Sequence, residues 1–571
     1  MNVTNARLRL ATISLVGLAL SSGPVGCSSS KASSVPDGGP AGSGGAGGSG
    51  GAGGTGGAVA PIECDVAIVG GGPGGLHTAY KLTNPPGGAA VSGVSAPAAV
   101  CLFEKNAAIG GRIRDVQFGA TPADVTGTGA YRMYDNHYAF VLAGELGVTT
   151  VAPVMFSNLR ALQDPGGMAG QYFGYSGDAF KALYGQSIND DEMWVKLLCG
   201  DQVPKDAAKH PNYQSIAGLG PKSTVDYVKD VLGAQGAQYF FDSNRFRADF
   251  TDDVDATGYL EYGAIDWFGA GAIRYPIPGH SAILDKMRAA FEGKGGRLFL
   301  SEKVSAVASA SDGTYTVQTA GHTVKARQVI IATEHGALKN ITGDVMSSIT
   351  SAREYQNVTS AKSMQVTHQW DQAWWKKDLR YPDASKVVGG PLAAAAPPIL
   401  RADTTIKPGG YCLNAVEMPY TEHHDRLMVT RTVYSDDRVC LEKNLTLYGD
   451  GGAAGEARLN DELKKSLRIL FPRVFDGSAN EPRILKTDVN THGEAWYYLK
   501  KGAFASGVTN KSLFDWSVHP VAGKKVYLVG DAWYPLSSGW SQAAYVSSIR
   551  VLNTHFGMNL ETRELQPIAC P

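Results

Sequence analysis

Runs of apolar residues, and the places where they break, divide this chain before any other property is considered. Asp65-Val-Ala-Ile-Val69 is short, apolar and β-branched, which predicts a buried parallel strand. It runs straight into Gly70-Gly-Gly-Pro-Gly-Gly75, and Leu76 to Leu82 then reads as a helix. Val100-Cys-Leu-Phe103 predicts a second strand, ending on Glu104, and Lys525-Val-Tyr-Leu-Val529 a late one, closing on Gly530-Asp531. Between these lie two longer stretches. From about Tyr134 to Gly271 the apolar spacing is helix-like, broken by Gly and Asp turns. From about Ala337 to Ile484 short strand-like runs recur, such as Leu427 to Tyr434.

The front of the chain has a different character. Arg7 and Arg9 precede an apolar stretch from Leu10 to Leu20, shorter than a bilayer crossing needs. A positive start, a short apolar middle and a small-residue end predict an export signal over residues 1–27. Val25-Gly-Cys27, followed by serines, resembles a bacterial lipoprotein cleavage box, in which Cys27 would carry a lipid anchor; Pro24 stands where that box favours Leu. Export as an envelope lipoprotein and export as a freely secreted protein both remain open. Residues 28–60 hold the run Gly38 to Gly57, too poor in side chains to bury anything, and are expected to be a flexible tether.

Composition adds exclusions. A chain of 571 residues calls for two or three lobes. The formal net charge is −1, with no block of Lys or Arg, so nothing points to a nucleic-acid partner. Cys64, Cys101, Cys199, Cys412, Cys440 and Cys570 show no metal-ligand spacing, and no metal site is expected; a bridge between Cys412 and Cys440 would suit an oxidising compartment. Self-association as a homodimer is left open.

The candidate chemistry begins at the glycine loop. Gly70, Gly72 and Gly75 fit G-x-G-x-x-G between a strand and a helix, with Pro73 and Gly74 completing the turn. The first glycine permits the turn, the second lets backbone approach a pyrophosphate, and the third lets helix and strand pack closely. Glu104, at the end of the next strand, can accept both ribose hydroxyls of an adenine dinucleotide and would repel a 2′-phosphate. A loop rich in Pro, Gly, Ala and Ser, from Pro85 to Ala99, lengthens the gap between the two.

After Glu104 come Lys105 and then Gly110-Gly111-Arg112, and this acid followed by Gly-Gly-Arg resembles the flavin amine oxidase superfamily. The resemblance implies FAD as cofactor, with Arg112 neutralising a phosphate or holding the neighbouring loop. Three more segments carry it. Gly530-Asp531 through Gly539-Trp540-Ser541 to Ala544 resembles the closing flavin motif, with Asp where most relatives have Glu. Gly296 to Val307 resembles the strand in which the backbone of Val304 reads the adenine edge, with Ala326 to Thr333 as its return strand. Gly127-Thr-Gly129-Ala130-Tyr131-Arg132 is similar to the stretch in which L-amino-acid oxidases grip the substrate carboxylate with an Arg; Tyr131 stands where Met is usual.

What the resemblance implies is an α/β fold. It has a Rossmann-like FAD-binding domain from residues 61–133, 272–336 and 486–571, a helical subdomain from 134–271 and a mixed-sheet substrate domain from 337–485. It further implies that Tyr434 gives a second hydrogen bond to the carboxylate and that Gly539 and Trp540 wall the substrate. Lys362, ahead of Trp374-Trp375, would hold a water near the flavin. The implied reaction is oxidation of an L-amino acid by dioxygen to a 2-oxo acid, ammonia and hydrogen peroxide. The alternatives are an amine or polyamine oxidase, a monooxygenase-like relative, and an inactive FAD-binding surface lipoprotein.

Overall fold

The structure is a computed structural model. It describes residues 61–153, 157–162, 171–174, 190–199, 219–243, 246–379, 387–388, 400–404, 412–413 and 415–564. The signal-like segment, the tether, Cys27 and Cys570 lie outside the described residues. One compact unit runs from Ala60 to Pro571.

A seven-stranded sheet carries the glycine loop. Its five parallel strands are Arg297–Phe299, Val100–Phe103, Ile62–Val69, Thr323–Ile331 and Val526–Leu528, and an antiparallel pair, Tyr315–Gln318 and Ala306–Ser309, extends one side. The apolar alternation predicts two buried faces. Val66, Ile68, Val100 and Leu102 pack under the helices Pro73–Thr83, Ser281–Gly293 and Ser541–His555, while Ala67, Val69, Phe103 and Ile331 pack on the other side against Val345, Met346 and Leu513. Register decides where the chemistry goes. Phe299, Phe103, Val69, Ile331 and Leu528 lie in one row across the sheet. Gly70, Glu104 and Gly530-Asp531 therefore leave from the same carboxyl edge, where ligands of open α/β sheets bind.

A second sheet of eight strands includes Ala415–Glu417, Val429–Ser435 and the long pair Val358–Trp370 and Ile484–Leu499. Helices Arg438–Tyr448 and Gly452–Leu470 cover one face, with Leu459, Leu463 and Leu467 packed on Met364, Val366 and Val433. A third cluster joins the helices Asp190–Cys199, Thr224–Ser243 and Ala256–Phe268 to Trp496 and Tyr498.

Several expectations change. The strands Ser157–Leu162 and Gln171–Gly174 come from the stretch read as helical and join the second sheet. The boundary drawn at 485/486 falls inside Ile484–Leu499, because the residues on both sides of it pair with Val358–Trp370. The run from Gly296 to Val307 is not one strand. It stops at Phe299, turns through Ser301 at φ 57°, and resumes at Ala306. Disulfides join Cys412 to Cys440 and, across two neighbouring parallel strands, Cys64 to Cys101. No helix among the described residues is long and apolar enough to cross a membrane.

Candidate active site

The glycine loop is built as its spacing predicts. Gly70 takes φ 109°, and a Cβ there would lie 2.5 Å from the Ala332 carbonyl oxygen. A Cβ on Gly75 would lie 2.0 Å from the Gly70 carbonyl oxygen, so the helix could not approach the strand. Gly72 differs: a Cβ there would meet nothing within 4 Å. Gly72 also caps the helix Pro73–Thr83 without any side-chain hydrogen bond, leaving the helix start open to an anion. Gly111, at φ 58°, faces the Cα of Gly72, so the two glycine segments form one cradle. Gly74 packs tightly on Val529 and the Ala544 carbonyl, seating the loop against the closing helix.

The Glu104 carboxylate is buried and accepts the backbone N–H groups of Gly71 and Asn106, each at 2.8 Å. That fixes both oxygens at the strand end while each keeps a further lone pair for a hydroxyl donor. Lys105 beside it is exposed. Val304 is buried, and neither its N–H nor its carbonyl is hydrogen-bonded among the described residues. A buried backbone pair left open in this way suits the hydrogen-bonding edge of an adenine.

Arg112 departs from its simplest assignment. Its guanidinium forks onto both oxygens of Asp531, one of them at 2.8 Å, and also donates to the Ala495 carbonyl at 2.5 Å. Burial alone would lower its pKa; the Asp531 carboxylate, together with Tyr497 and Glu334, outweighs that, and the net shift is upward. Opposite charges brought into one cleft satisfy each other. Of the two roles expected for Arg112, the structure shows it holding the neighbouring segment, here the one that carries Asp531. Past Asp531, Gly539 at φ 81° backs onto Trp496, and Trp540 caps the helix Ser541–His555 without a side-chain hydrogen bond. Ser541 Oγ lies 3.4 Å from His280 Nε2.

Arg132 is carried to the cleft by backbone pairing. Ala130 N–H donates to the Arg112 carbonyl at 3.0 Å, and a Cβ on Gly129 would strike that same oxygen. The Arg132 guanidinium lies 5.2 Å from the Tyr131 ring and 5.5 Å from Trp540. It makes no side-chain hydrogen bond or ion pair among the described residues, in contrast to Arg112 and Arg431. Trp540 in turn packs on Tyr134, ring centroids 4.4 Å apart, and edge-on to His137 at 5.2 Å.

Behind Arg132 sits a group that the sequence did not single out. Glu417 is 3% exposed and Arg431 4%. Glu417 accepts from Arg431 Nη1 at 2.8 Å, from the Tyr131 hydroxyl at 2.9 Å and from the Tyr420 hydroxyl. The Arg431 guanidinium lies 3.6 Å from the ring of Tyr131, the neighbour of Arg132, and 5.8 Å from that of Tyr434, an expected substrate contact. Removing one member of such a pair strands the other charge. Glu417→Ala is expected to cost about 3–5 kcal/mol in urea unfolding, and a loss below ~1 kcal/mol would show that the pair carries no structural load. The available signal was a carboxylate in a short strand-like run.

Compared with protein families, residues 73–550 match the model described as flavin-containing amine oxidoreductase. The chain belongs to that family. Its cofactor is FAD. No curated protein matches the chain. Among solved structures it is similar to putrescine oxidase, in a series redesigned for cofactor binding. A double mutant from that series is 15% identical at TM-score 0.56, and the wild type bound to putrescine is 15% identical at 0.55. Each likeness covers 86% of this chain and 98% of the other. At that identity the likeness concerns the fold.

Within this family member, the open face of Gly72 beside Pro73 and Gly111, and the unspent acceptor and backbone groups of Glu104 and Val304, are a set of residues that would fit an adenine dinucleotide. The Lys362 side chain is exposed and makes no hydrogen bond or ion pair with a described residue. It sits at an irregularity in the pairing of Val358–Trp370, next to Ala361, whose register partner is Trp496. Tyr434 is half-buried, with the Phe246 ring edge-on at 5.9 Å. No group of three or more His, Cys, Asp or Glu side chains among the described residues is arranged to hold a metal.

Proposed function

We propose that this amine oxidoreductase acts on L-amino acids, which with dioxygen and water give 2-oxo acids, ammonia and hydrogen peroxide. The observation that carries the reading is Arg132: a guanidinium that makes no ion pair or side-chain hydrogen bond with a described residue, beside Trp540 of the closing flavin motif. A planar cation in that position suits a substrate carboxylate, met through both oxygens. FAD supplies the two-electron acceptor and the route to dioxygen. The chain's own residues do the rest. Arg132 and Tyr434 hold the carboxylate, Trp540 confines the side chain so that the Cα hydrogen is presented in one orientation, and Lys362 retains a water. Two disulfides also favour an oxidising compartment, in keeping with the export signal proposed for residues 1–27.

A second reading, an amine or polyamine oxidase, is favoured by the likeness to a putrescine oxidase with putrescine bound. The two are separated by anaerobic mixing of the FAD-loaded protein with L-amino acids, D-amino acids and simple amines. Bleaching of the flavin by L-amino acids is the expected result. Bleaching by amines alone would replace the first reading with the second.

A further inference from the structure

Arg132 follows directly on a stretch of chain, residues 127–131, that one side chain grips at both ends. Arg431, on the strand Val429–Ser435, gives Nη2 to the Gly127 carbonyl at 2.7 Å. Its Nη1 goes to Glu417 and to the Tyr420 hydroxyl, each at 2.8 Å. The same guanidinium lies 3.6 Å from the Tyr131 ring, and the Tyr131 hydroxyl donates to the carboxylate that Arg431 holds. A Cβ on Gly127 would lie 2.6 Å from that of Tyr131, so the stretch folds back on itself and Arg431 reaches both of its ends. The Tyr131 ring stacks in turn on Tyr420, centroids 5.2 Å apart, and Tyr420 on Tyr275 at 5.0 Å. On the other side of Arg132, Met133 pairs with Arg274 in the strand Ile273–Pro276.

The grip reaches the Arg132 guanidinium as well as its backbone. That group lies 5.2 Å from the same Tyr131 ring, which is one of the two aromatic surfaces it rests against. Burial alone would lower the Arg132 pKa; Tyr131, Glu417, Tyr275 and Tyr134 outweigh that, and the net shift is upward. Arg431 touches the first two of these directly. A fork that must meet two carboxylate oxygens tolerates little displacement, and a misplacement of about 1 Å can cost on the order of 100-fold. A long side chain also loses less freedom on binding when its surroundings already hold it.

We infer that Arg431 is a positioning residue that acts on the substrate through Arg132, clamping Gly127 and Tyr131 so that the Arg132 guanidinium keeps one seat beside Trp540. The inference rests on the L-amino-acid reading above and adds to it. The test is a double-mutant cycle on the FAD-loaded protein with the best L-amino acid. Arg431→Lys keeps a cation for Glu417 but has no second prong for the Gly127 carbonyl. It is expected to raise KM on the order of 10-fold, with kcat and flavin absorbance little changed. In an Arg132→Ala background the same substitution is expected to change kcat/KM by less than about twofold, because the residue it acts through is gone. A general loosening of the fold would instead multiply the two losses. If Arg431→Lys is recovered unfolded, Tyr131→Phe takes its place: it removes only the hydroxyl that Glu417 holds, and its cycle with Arg132→Ala is read in the same way. A wild-type KM in the single variant, or losses that multiply in the double variant, would overturn the inference and leave the L-amino-acid reading standing. Bleaching of the wild-type flavin by simple amines alone would end the functional reading, and this inference with it.

Discussion

Arg132→Ala is expected to lower kcat/KM for the best L-amino acid by roughly 10²–10³-fold while the purified protein remains yellow. The size follows from what the side chain does in the free protein. Arg112 spends its charge on Asp531 and Arg431 on Glu417, whereas Arg132 lies against aromatic faces and forms no direct ion pair among the described residues. Removing it breaks no ion pair there, so the fold has little reason to suffer. A bound carboxylate, by contrast, would lose a two-pronged, charge-assisted contact worth about 3–4 kcal/mol in a partly enclosed site. Most of the loss should appear in KM, because the contact is made to substrate and transition state alike. Arg132→Lys keeps the charge and loses the fork, and should fall between the two. Kinetics of Arg132→Ala within a few-fold of wild type would remove the guanidinium from the substrate site.

The second large effect separates two glycines three residues apart. Gly72→Val is expected to give a soluble, folded and colourless protein, with FAD affinity down by at least about a hundredfold. Its backbone, at φ −74° and ψ −177°, is open to any residue, and a Cβ would meet no protein atom within 4 Å. The space such a side chain would fill is the space the pyrophosphate needs. Gly75→Val is expected to fail earlier, as aggregated protein. Its Cβ would lie 2.0 Å from the Gly70 carbonyl oxygen and 3.0 Å from the Ala332 Cβ, forcing helix from sheet. Circular dichroism and flavin absorbance read both. A yellow Gly72→Val protein would mean that the cofactor does not cross this loop.

These contrasts show which parts of the molecule were legible from the chain alone. The strand, glycine loop and helix at the front are encoded within twenty-odd neighbouring residues, so their pattern carries its own meaning. The convergence of Glu104 and Asp531 on one sheet edge could be read only through a family resemblance, since their strands are far apart in the chain and register is not written in composition. Charge partners were less legible still. Arg112 pairs with Asp531 across 419 positions, and nothing local marks either residue for the other. Glu417 and Arg431 look like ordinary strand charges until the fold lays them against Tyr131. The Cys64–Cys101 bridge joins two strands brought side by side by the parallel sheet, a neighbourhood that spacing does not reveal.

The most direct measurement is a crystal structure of the FAD-loaded protein with an unreactive carboxylate analogue of an amino acid bound. The account predicts both carboxylate oxygens roughly 3 Å from the Arg132 guanidinium, with Trp540 along the ligand's side chain and the flavin ring within reach of its Cα. A ligand seated in the flavin cleft with its carboxylate turned away from Arg132 would contradict it, as would an Arg132 swung back onto Glu417.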